Sequence, residues 1–427
     1  MITAIVFGLF CGFLMLRVPV AIAMIAASIC TLLLLHVPLV VIPQSLQIGL
    51  DSFEMLAVPF FILAAEIMNT GGITRRIVRL ANLLVGAVPG SLAQVSVVAS
   101  VVFAGISGTA IGDAAGLGRV QFLAMRENGY EPGFAAAVPL AAAVIGGLGP
   151  SSVVLILYAV SAEVSVGRML LAGTLPLLII AFALMAYIFW LVKTGRVSCP
   201  PTPRPRRAEI LPIIFDGLPA LVTPTIILTG LVSGWFTPAE SGVAACVYSF
   251  LLCALYYRSL PLQEIPRMFL RATLSTAMVM FVISASTLMS WIITYDQAAA
   301  NLVEIIAAWH VHPWLLLAVI NVALLAIGAF VEGVPALLIL TPILLPLVKS
   351  VGVDPVHFGV IMVFNLLIGL IHPPIGLGLF IMSNVTGLSV EKVTRAVIPF
   401  LIPLVIALIA ITYLPFISMT LPNLVLR

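Results

Sequence analysis

Residues 100–116 are apolar on both sides of a polar interruption, Ser107-Gly108-Thr109, and an acidic residue, Asp113, follows close behind. A stretch this apolar leaves water, and inside lipid every backbone N–H and C=O must find a partner within the protein. A helix broken at membrane depth is tolerated only where the break is buried in protein or lines a polar cavity. Freed carbonyls at such a break attract cations, and helix N-termini attract anions. The segment therefore confines the chain to folds that hold a polar site inside a membrane-embedded body.

The rest of the chain agrees. Of its 427 residues 62% are hydrophobic and only 8% charged, with mean hydropathy +1.26, against about 25% charged in a soluble domain. The fold class is an all-α polytopic membrane protein. The five cysteines, Cys11, Cys30, Cys199, Cys246 and Cys253, have no disulfide or metal spacing. Residues 1–16 carry no basic n-region and no cleavage-like site, so they read as mature protein and not as a signal peptide. There is no phosphate-binding loop of the ATPase type, no nucleophile–base constellation and no His/Cys cluster. No enzyme activity, no cofactor and no transition metal are expected, and no segment is basic and aromatic enough for nucleic acid.

Along the chain, residues 2–35 are apolar but interrupted at Arg17-Val18-Pro19, too long for one span of about 20 residues and short for two. The run 53–68 ends at Asn69-Thr70-Gly71-Gly72. Arg75, Arg76 and Arg79 then fall on a short amphipathic stretch expected to lie flat on the membrane surface. Residues 83–125 read as a re-entrant hairpin of two half-length helices broken at 107–109. Residues 134–162 read as a helix interrupted at Gly149-Pro150-Ser151-Ser152, and 170–192 as an ordinary span. A basic, proline-rich linker at 193–209 divides the chain. Spans follow at 211–231, 239–257 and 273–294, and a second surface helix at 296–312. A second hairpin (313–347) breaks at Glu332-Gly333-Val334-Pro335, and a second interrupted helix (356–388) breaks at His372-Pro373-Pro374. Residues 397–417 close the chain.

The parts before and after the linker, 1–192 and 210–427, are repeats. At an offset of 223 residues Gly129 matches Gly352, Pro132 matches Pro355, Gly146 matches Gly369, Pro150 matches Pro373 and Pro176 matches Pro399. With the linker placed in the cytoplasm, Arg75, Arg76, Arg79, Arg119, Arg126, Arg258, Arg267, Arg271, Lys392 and Arg395 join Lys193, Arg196, Arg204, Arg206 and Arg207 on that side. Only Arg168, Lys349 and Arg427 fall outside, with Arg17 unassigned. This asymmetry fixes the orientation and makes the two hairpins enter from opposite faces. The halves are then inverted repeats, an architecture of secondary transporters.

Two hairpin tips and two helix breaks are expected to converge on one site. Ser107, Gly108 and Thr109, with Pro150, Ser151 and Ser152, supply hydroxyls and accessible backbone in the first half. Glu332, Gly333, Val334 and Pro335, with His372, Pro373, Pro374 and Gly376, do so in the second. Such oxygens suit a hard cation like Na⁺. Asp113 and Glu332 either hold a cation or stabilise their hairpins. Glu66 reads as structural. Glu240 reads as the closing residue of a capping box begun by Thr237. His372 titrates near neutral pH if free or is hydrogen-bonded in its break, and Arg119 meets an anion or lies at the interface.

Several motifs together carry a resemblance. They are Val58-Pro59-Phe60-Phe61-Ile62-Leu63-Ala64-Ala65-Glu66-Ile67-Met68 with Gly71-Gly72, Ile106-Ser107-Gly108-Thr109-Ala110, Thr237-Pro238-Ala239-Glu240, Leu340-Thr341-Pro342-Ile343-Leu344-Leu345-Pro346, His357-Phe358-Gly359 and His372-Pro373-Pro374-Ile375-Gly376. Almost end to end, the chain resembles the large membrane subunit of tripartite ATP-independent periplasmic (TRAP) transporters. The resemblance implies a Na⁺-coupled, elevator-type importer in the bacterial inner membrane, with a scaffold (spans near 14–34, 170–192, 211–257 and 397–417) and a transport domain. Its cargo would be an organic acid anion: a C4-dicarboxylate, a sugar acid or a sialic-acid-like acid. It implies two protein partners, a small four-helix membrane subunit and a periplasmic substrate-binding protein, besides the lipid bilayer. By matching motif, Na⁺ would sit at Ser107, Gly108, Thr109, Pro150, Ser151, Gly333, Val334, Pro335, Pro373, Pro374 and Gly376. Ser107, Thr109, Asp113, Ser152, Glu332 and His372 are the candidates for substrate. The chain departs from the family pattern at His372, where a threonine usually stands. The other reading consistent with the inverted repeat is a stand-alone ion-coupled anion carrier or channel without a binding protein.

Overall fold

The computed structural model describes residues 2–200, 207–308 and 312–426. Arg204, Arg206 and Arg427, and the end of the expected surface helix at 309–311, lie outside the described residues. The described chain folds into α-helices α1 (Ile2–Met15), α2 (Val20–Leu34), α3 (Val41–Ile48), α4 (Ala57–Thr70), α5 (Ile73–Val85), α6 (Ser91–Ser107), α7 (Ala110–Ala115), α8 (Leu117–Glu127), α9 (Pro132–Ala143), α10 (Val153–Ser161) and α11 (Val166–Lys193). After the linker come α12 (Arg207–Val232), α13 (Pro238–Leu251), α14 (Ile265–Tyr295), α15 (Ala298–Ala308), α16 (Pro313–Gly328), α17 (Gly333–Ser350), α18 (Pro355–Gly369), α19 (Leu377–Thr386), α20 (Val390–Tyr413) and α21 (Phe416–Val425). Among the described residues seven helices are long and apolar enough to cross a membrane, or eight if the pair Pro132–Leu148 and Val153–Ser161, bent by 41°, is counted as one span.

Local chemistry sets these boundaries. Proline opens α9, α13, α16 and α18 at positions where its missing N–H is no loss. Thr237 and Glu240 form the expected capping box on α13: Thr237 N–H donates to Glu240 Oε2 at 2.8 Å and Glu240 N–H to Thr237 Oγ1 at 3.3 Å. Asp354 Oδ1 caps α18 by accepting from Val356 N at 2.7 Å and His357 N at 3.3 Å. Glu66 accepts from Arg271 Nε at 3.3 Å, tying α4 to α14. Residues 2–35 resolve into two antiparallel helices, α1 and α2, that turn at Arg17, whose φ is +63°.

Helix boundaries recur at the offset seen in the sequence. Pro132 opens α9 and Pro355 opens α18; α6 and α16, α10 and α19, and α11 and α20 begin within two residues of the same spacing. Packing is reciprocal as well. Helix α7 touches α19 while α17 touches α10, and α9 touches α20 while α18 touches α11. The first hairpin is antiparallel: Gln121 Nε2 on α8 donates to Ser96 O on α6 at 3.1 Å. Tyr130, Tyr158, Phe103, Phe358, Phe364 and Phe400 are fully buried between these elements.

The helices can be sorted into two groups by packing, one of α6 to α11 with α16 to α21 and the other of α1 to α4 with α12 to α14; the groups also meet directly, α14 packing closely on α17 and α4 and α12 on α6. The spans at 170–192 and 397–417, expected with the scaffold, belong instead to the hairpin group. Helix α11 packs on α6, α10, α18, α20 and α21, and α20 on α9, α18 and α19. The reason is their sequence: both are apolar around most of their circumference, so hydropathy marked them as spans without saying which neighbours they face. Helix α5 is the amphipathic stretch expected at the surface, and it packs on protein. Its apolar face (Ile73, Ile77, Leu80, Ala81) is buried against α6 and α12, while Arg75 and Arg79 are exposed. Helices α5 and α15 each contact both groups.

The end of α16 crosses the end of α18 at a glycine pair. A Cβ added at Gly369 would lie 2.5 Å from the carbonyl carbon of Gly328. Gly369→Val is expected to force the helices apart at a cost of about 1–3 kcal/mol. A thermal-unfolding midpoint in detergent equal to that of the native protein would contradict this close crossing.

Candidate functional site

The first hairpin turns where the backbone requires glycine. Helix α6 ends at Ser107; Gly108 adopts φ +61°, and Thr109 is extended and caps α7, its Oγ1 accepting from Gly112 N at 3.3 Å. The interrupted helix runs from α9 through a 3₁₀ turn (Val144–Leu148) to its break. There Ser152 caps α10, accepting from Leu155 N at 3.1 Å while its own hydroxyl donates to Gly147 O at 2.6 Å. Tip and break are pinned to one another. Val153 N–H donates to Gly108 O at 3.2 Å and Ser151 Oγ to Ala104 O at 3.1 Å. A Cβ on Gly108 would collide with the Ser151 carbonyl, and one on Gly149 with the Ala104 carbonyl. Pro150 lies beside Gly105. Ser107, Gly108, Thr109, Pro150, Ser151 and Ser152 thus form one junction, whose orphaned backbone groups are answered by backbone and hydroxyls.

Asp113 sits at the centre of this junction, 1% exposed. Ser107 Oγ donates a short hydrogen bond to its Oδ1. Its Oδ2 is buried with no hydrogen-bond partner. This oxygen faces Gly146, where an added Cβ would collide with it, and the same point is 3.5 Å from Thr109 O. Oδ2 therefore fills the space that glycine leaves at 146, on the side of the Thr109 carbonyl, which itself accepts from Asp113 N at 3.1 Å. A buried carboxylate oxygen with no donor is costly unless a cation or a proton meets it. Hard oxygen donors of this kind suit Na⁺ better than a transition metal.

The second half is built differently. Glu332 is exposed ahead of α17; Gly333 and Val334 are half-buried and Pro335 buried. Gly333 lies near Leu366 of α18. In the break, His372 Nδ1 lies 2.5 Å from Pro373 O, and the Pro373–Pro374 peptide is cis. A Cβ on Gly376 would stand 2.7 Å from both His372 O and Leu370 O and 3.0 Å from Gly369 O. Three carbonyls converge on a point that only glycine leaves free. Among the described residues no hydrogen bond joins the 332–335 tip to the 372–376 break. The halves meet through α7 with α19 and α10 with α17, so each hairpin packs on the helix that follows the other half's break.

The sequence matches a family profile described as "Tripartite ATP-independent periplasmic transporter, DctM component" over residues 7–417. The chain belongs to this TRAP large-permease family. It is 37% identical to the sialic acid TRAP transporter large permease SiaM of Vibrio cholerae over 384 residues, covering 90% of this chain and 89% of that one. It is likewise 37% identical to the C4-dicarboxylate TRAP transporter large permease DctM of Pseudomonas aeruginosa over 373 residues, 87% of each chain. In fold it is similar to the YdaH transporter of Alcanivorax borkumensis, with TM-score 0.61, 15% identity and 88% of each chain covered. The protein is a multi-pass TRAP permease of the inner membrane.

Two features of the structure of this TRAP permease were not visible as such in the sequence. Gly146 and Gly376 stand out there only as a repeat position and as part of a motif; the structure makes each the floor of an oxygen cluster. A buried polar chain was missed altogether. Asn365 Nδ2 donates to Asn321 Oδ1 at 2.7 Å, and Asn321 Nδ2 to Thr412 Oγ1 at 3.0 Å, linking α18, α16 and α20. His357, noted only as a motif residue, has Nδ1 2.7 Å from Ser418 Oγ and Nε2 3.2 Å from Thr412 O. Isolated asparagines in apolar runs were the available signal. Arg119 is exposed on α8.

Gly108→Ala and Gly352→Ala both place alanine at positive φ (+61° and +81°), but only the first meets a carbonyl; nothing lies within 4 Å at Gly352. The left-handed conformation alone costs about 1–2 kcal/mol. Gly108→Ala is expected to lower the unfolding midpoint clearly more than Gly352→Ala. Equal shifts would mean the tip and the break are not in contact.

Proposed function

We propose that this TRAP permease is a Na⁺-coupled importer of an organic acid anion, and that the junction of Ser107, Thr109, Asp113 and Gly146 is its first ion site. The observation that carries the reading is Asp113 Oδ2, a buried carboxylate oxygen without a donor beside Thr109 O. Na⁺ would take these two oxygens, while the Ser107 hydroxyl holds the other carboxylate oxygen. The carbonyls of Gly369, Leu370 and His372 around Gly376 would take a second ion. The substrate carboxylate would meet the hydroxyls and helix N-termini near Thr109 and Ser152, where developing positive dipoles favour an anion. Relatives named for sialic acid and C4-dicarboxylate transport support the organic-acid class.

In this reading residues 1–192 and 210–427 are inverted repeats joined by the cytoplasmic 193–209 linker. The hairpin group moves as one body against the group of α1 to α4 and α12 to α14, in elevator fashion. The permease acts as a transporter and not as an enzyme. It works with a small four-helix membrane subunit and takes its cargo from a periplasmic binding protein, as the word tripartite in the family description suggests.

The test is uptake into proteoliposomes holding this chain and its small subunit, with and without the cognate binding protein, under an inward Na⁺ gradient. Uptake should need both. Ser107→Ala, Asp113→Asn and Gly333→Leu should each reduce it about tenfold or more while the protein stays folded. Normal Na⁺-dependent uptake by these variants would refute the site. Uptake without the binding protein would favour a stand-alone carrier, and uptake driven by a proton gradient alone would refute Na⁺ coupling.

A further inference from the structure

The Gly71-Gly72 pair between α4 and α5 offers the chain an apparent hinge, and Gly72 takes φ +69°. The structure locks it. Arg76, one turn into α5, donates from Nη1 to Gly71 O at 3.3 Å and to Gly72 O at 3.2 Å. Ser259 Oγ donates to Gly71 O at 2.6 Å, and Cys253 fills the space where a side chain at 71 would go. The same guanidinium donates from Nε to Asp216 Oδ1 of α12 at 2.9 Å and stacks 3.8 Å from the Tyr257 ring centre. Tyr257 in turn donates its hydroxyl to Asp216 O at 2.6 Å. It is brought there by a π-helical turn, Leu252–Tyr256, at the end of α13. One side chain thus caps the C-terminus of α4, pairs with α12 and stacks on the end of α13, all within one packing group. Further along α5, Leu80 lies against Gly217 of α12.

Helix α5 also packs along α6 of the hairpin group, so this face must slide if the hairpin group moves, and its far end is held otherwise. Residues 86–90 form a turn, and Gly90, at φ +79°, lies against Val192 and Ile188 of α11, in the hairpin group. We propose that Arg76 is a positioning residue that keeps α5 fixed to α4, α12 and α13 throughout transport, so that the hairpin group swings at 86–90 and not at Gly71-Gly72. This rests on the two-body reading above. It assigns a task to an arginine that orientation alone would explain as a cytoplasmic charge.

The experiment pairs a cross-link with an exchange measurement. A Cβ on Gly217 would lie 3.1 Å from Leu80 Cβ, close to the separation of roughly 3.5–4.5 Å that a disulfide spans. Oxidised Leu80→Cys/Gly217→Cys protein should take up substrate as fast as the same protein after reduction. Uptake abolished by the cross-link and restored by reductant would mean α5 leaves α12, and would overturn the proposal. Arg76→Ala should lower the maximal uptake rate about tenfold with KM unchanged, and Arg76→Lys, which keeps a cation beside the two carbonyls, should recover much of it. A raised KM with an unchanged maximal rate would also overturn it. If the native protein shows no Na⁺- and binding-protein-dependent uptake, the transport reading fails and the clamp is judged by hydrogen exchange alone. Amides of 73–85 should exchange at least about tenfold faster in Arg76→Ala than in the native protein, with those of α9 unchanged. Unaltered exchange across α5 would refute the clamp whatever the uptake.

Discussion

The requirement that buried backbone polar groups find partners governs this structure more than any single contact. Each helix break releases N–H and C=O groups at membrane depth, where each unpaired group costs several kcal/mol, roughly. In the first half the groups are answered in pairs: Gly108 O receives Val153 N–H, Ala104 O receives the Ser151 hydroxyl, and Gly147 O receives the Ser152 hydroxyl. The first two of these bonds cross from hairpin to interrupted helix and the third closes the break from within, so tip and break brace one another. Glycine at 108 and 149 is the steric condition for that closeness, and serine at 151 and 152 is the polar one. A polar junction inside an apolar body follows from backbone chemistry before any ligand is considered.

The same logic explains why the two halves pack reciprocally. A broken helix exposes its short second piece, α10 or α19, to be covered by something, and in each case the cover is an arm of the other half's hairpin. Helices α11 and α20 complete the enclosure from outside, which is why they belong with the hairpins despite reading as plain spans. Helices α5 and α15 touch both this enclosed body and the rest, which also meet directly where α14 packs on α17 and α4 on α6.

Much of this was legible in the sequence because proline, glycine and charge leave local marks. Pro132 and Pro355, Pro150 and Pro373, and Gly146 and Gly369 keep one spacing, and the breaks fall where the residues disfavour helix. The capping box at Thr237 and Glu240 was legible for the same reason: its geometry is local. What the sequence did not disclose depends on long-range approach. The partners of α11 and α20 were hidden because a helix apolar all round has no preferred face. The Asn321, Asn365 and Thr412 chain joins residues far apart in the sequence, and the isolated asparagines carry no spacing signal. The α5 stretch has the pattern of an interfacial helix, and whether its apolar face meets lipid or protein is decided by α6 and α12, which the pattern does not contain.

The departures from repeat symmetry are as informative as the symmetry. At the 223-residue offset Asp113 corresponds to Ala336 and Thr109 to Glu332, so the halves place their acids differently. In the first half the carboxylate lies inside the junction with one oxygen unpartnered; in the second the cluster around Gly376 is made of carbonyls alone, and Glu332 is exposed at the tip. Under the proposed function the two clusters would treat a cation differently: in the first it would meet the Asp113 carboxylate in place of a proton, whereas in the second it would bring net charge into a buried set of neutral carbonyls. Coulomb attraction would then favour the first cluster, and occupation of the second would gain most from an anion lying nearby, so that binding there would depend on the cargo more than binding at Asp113 does.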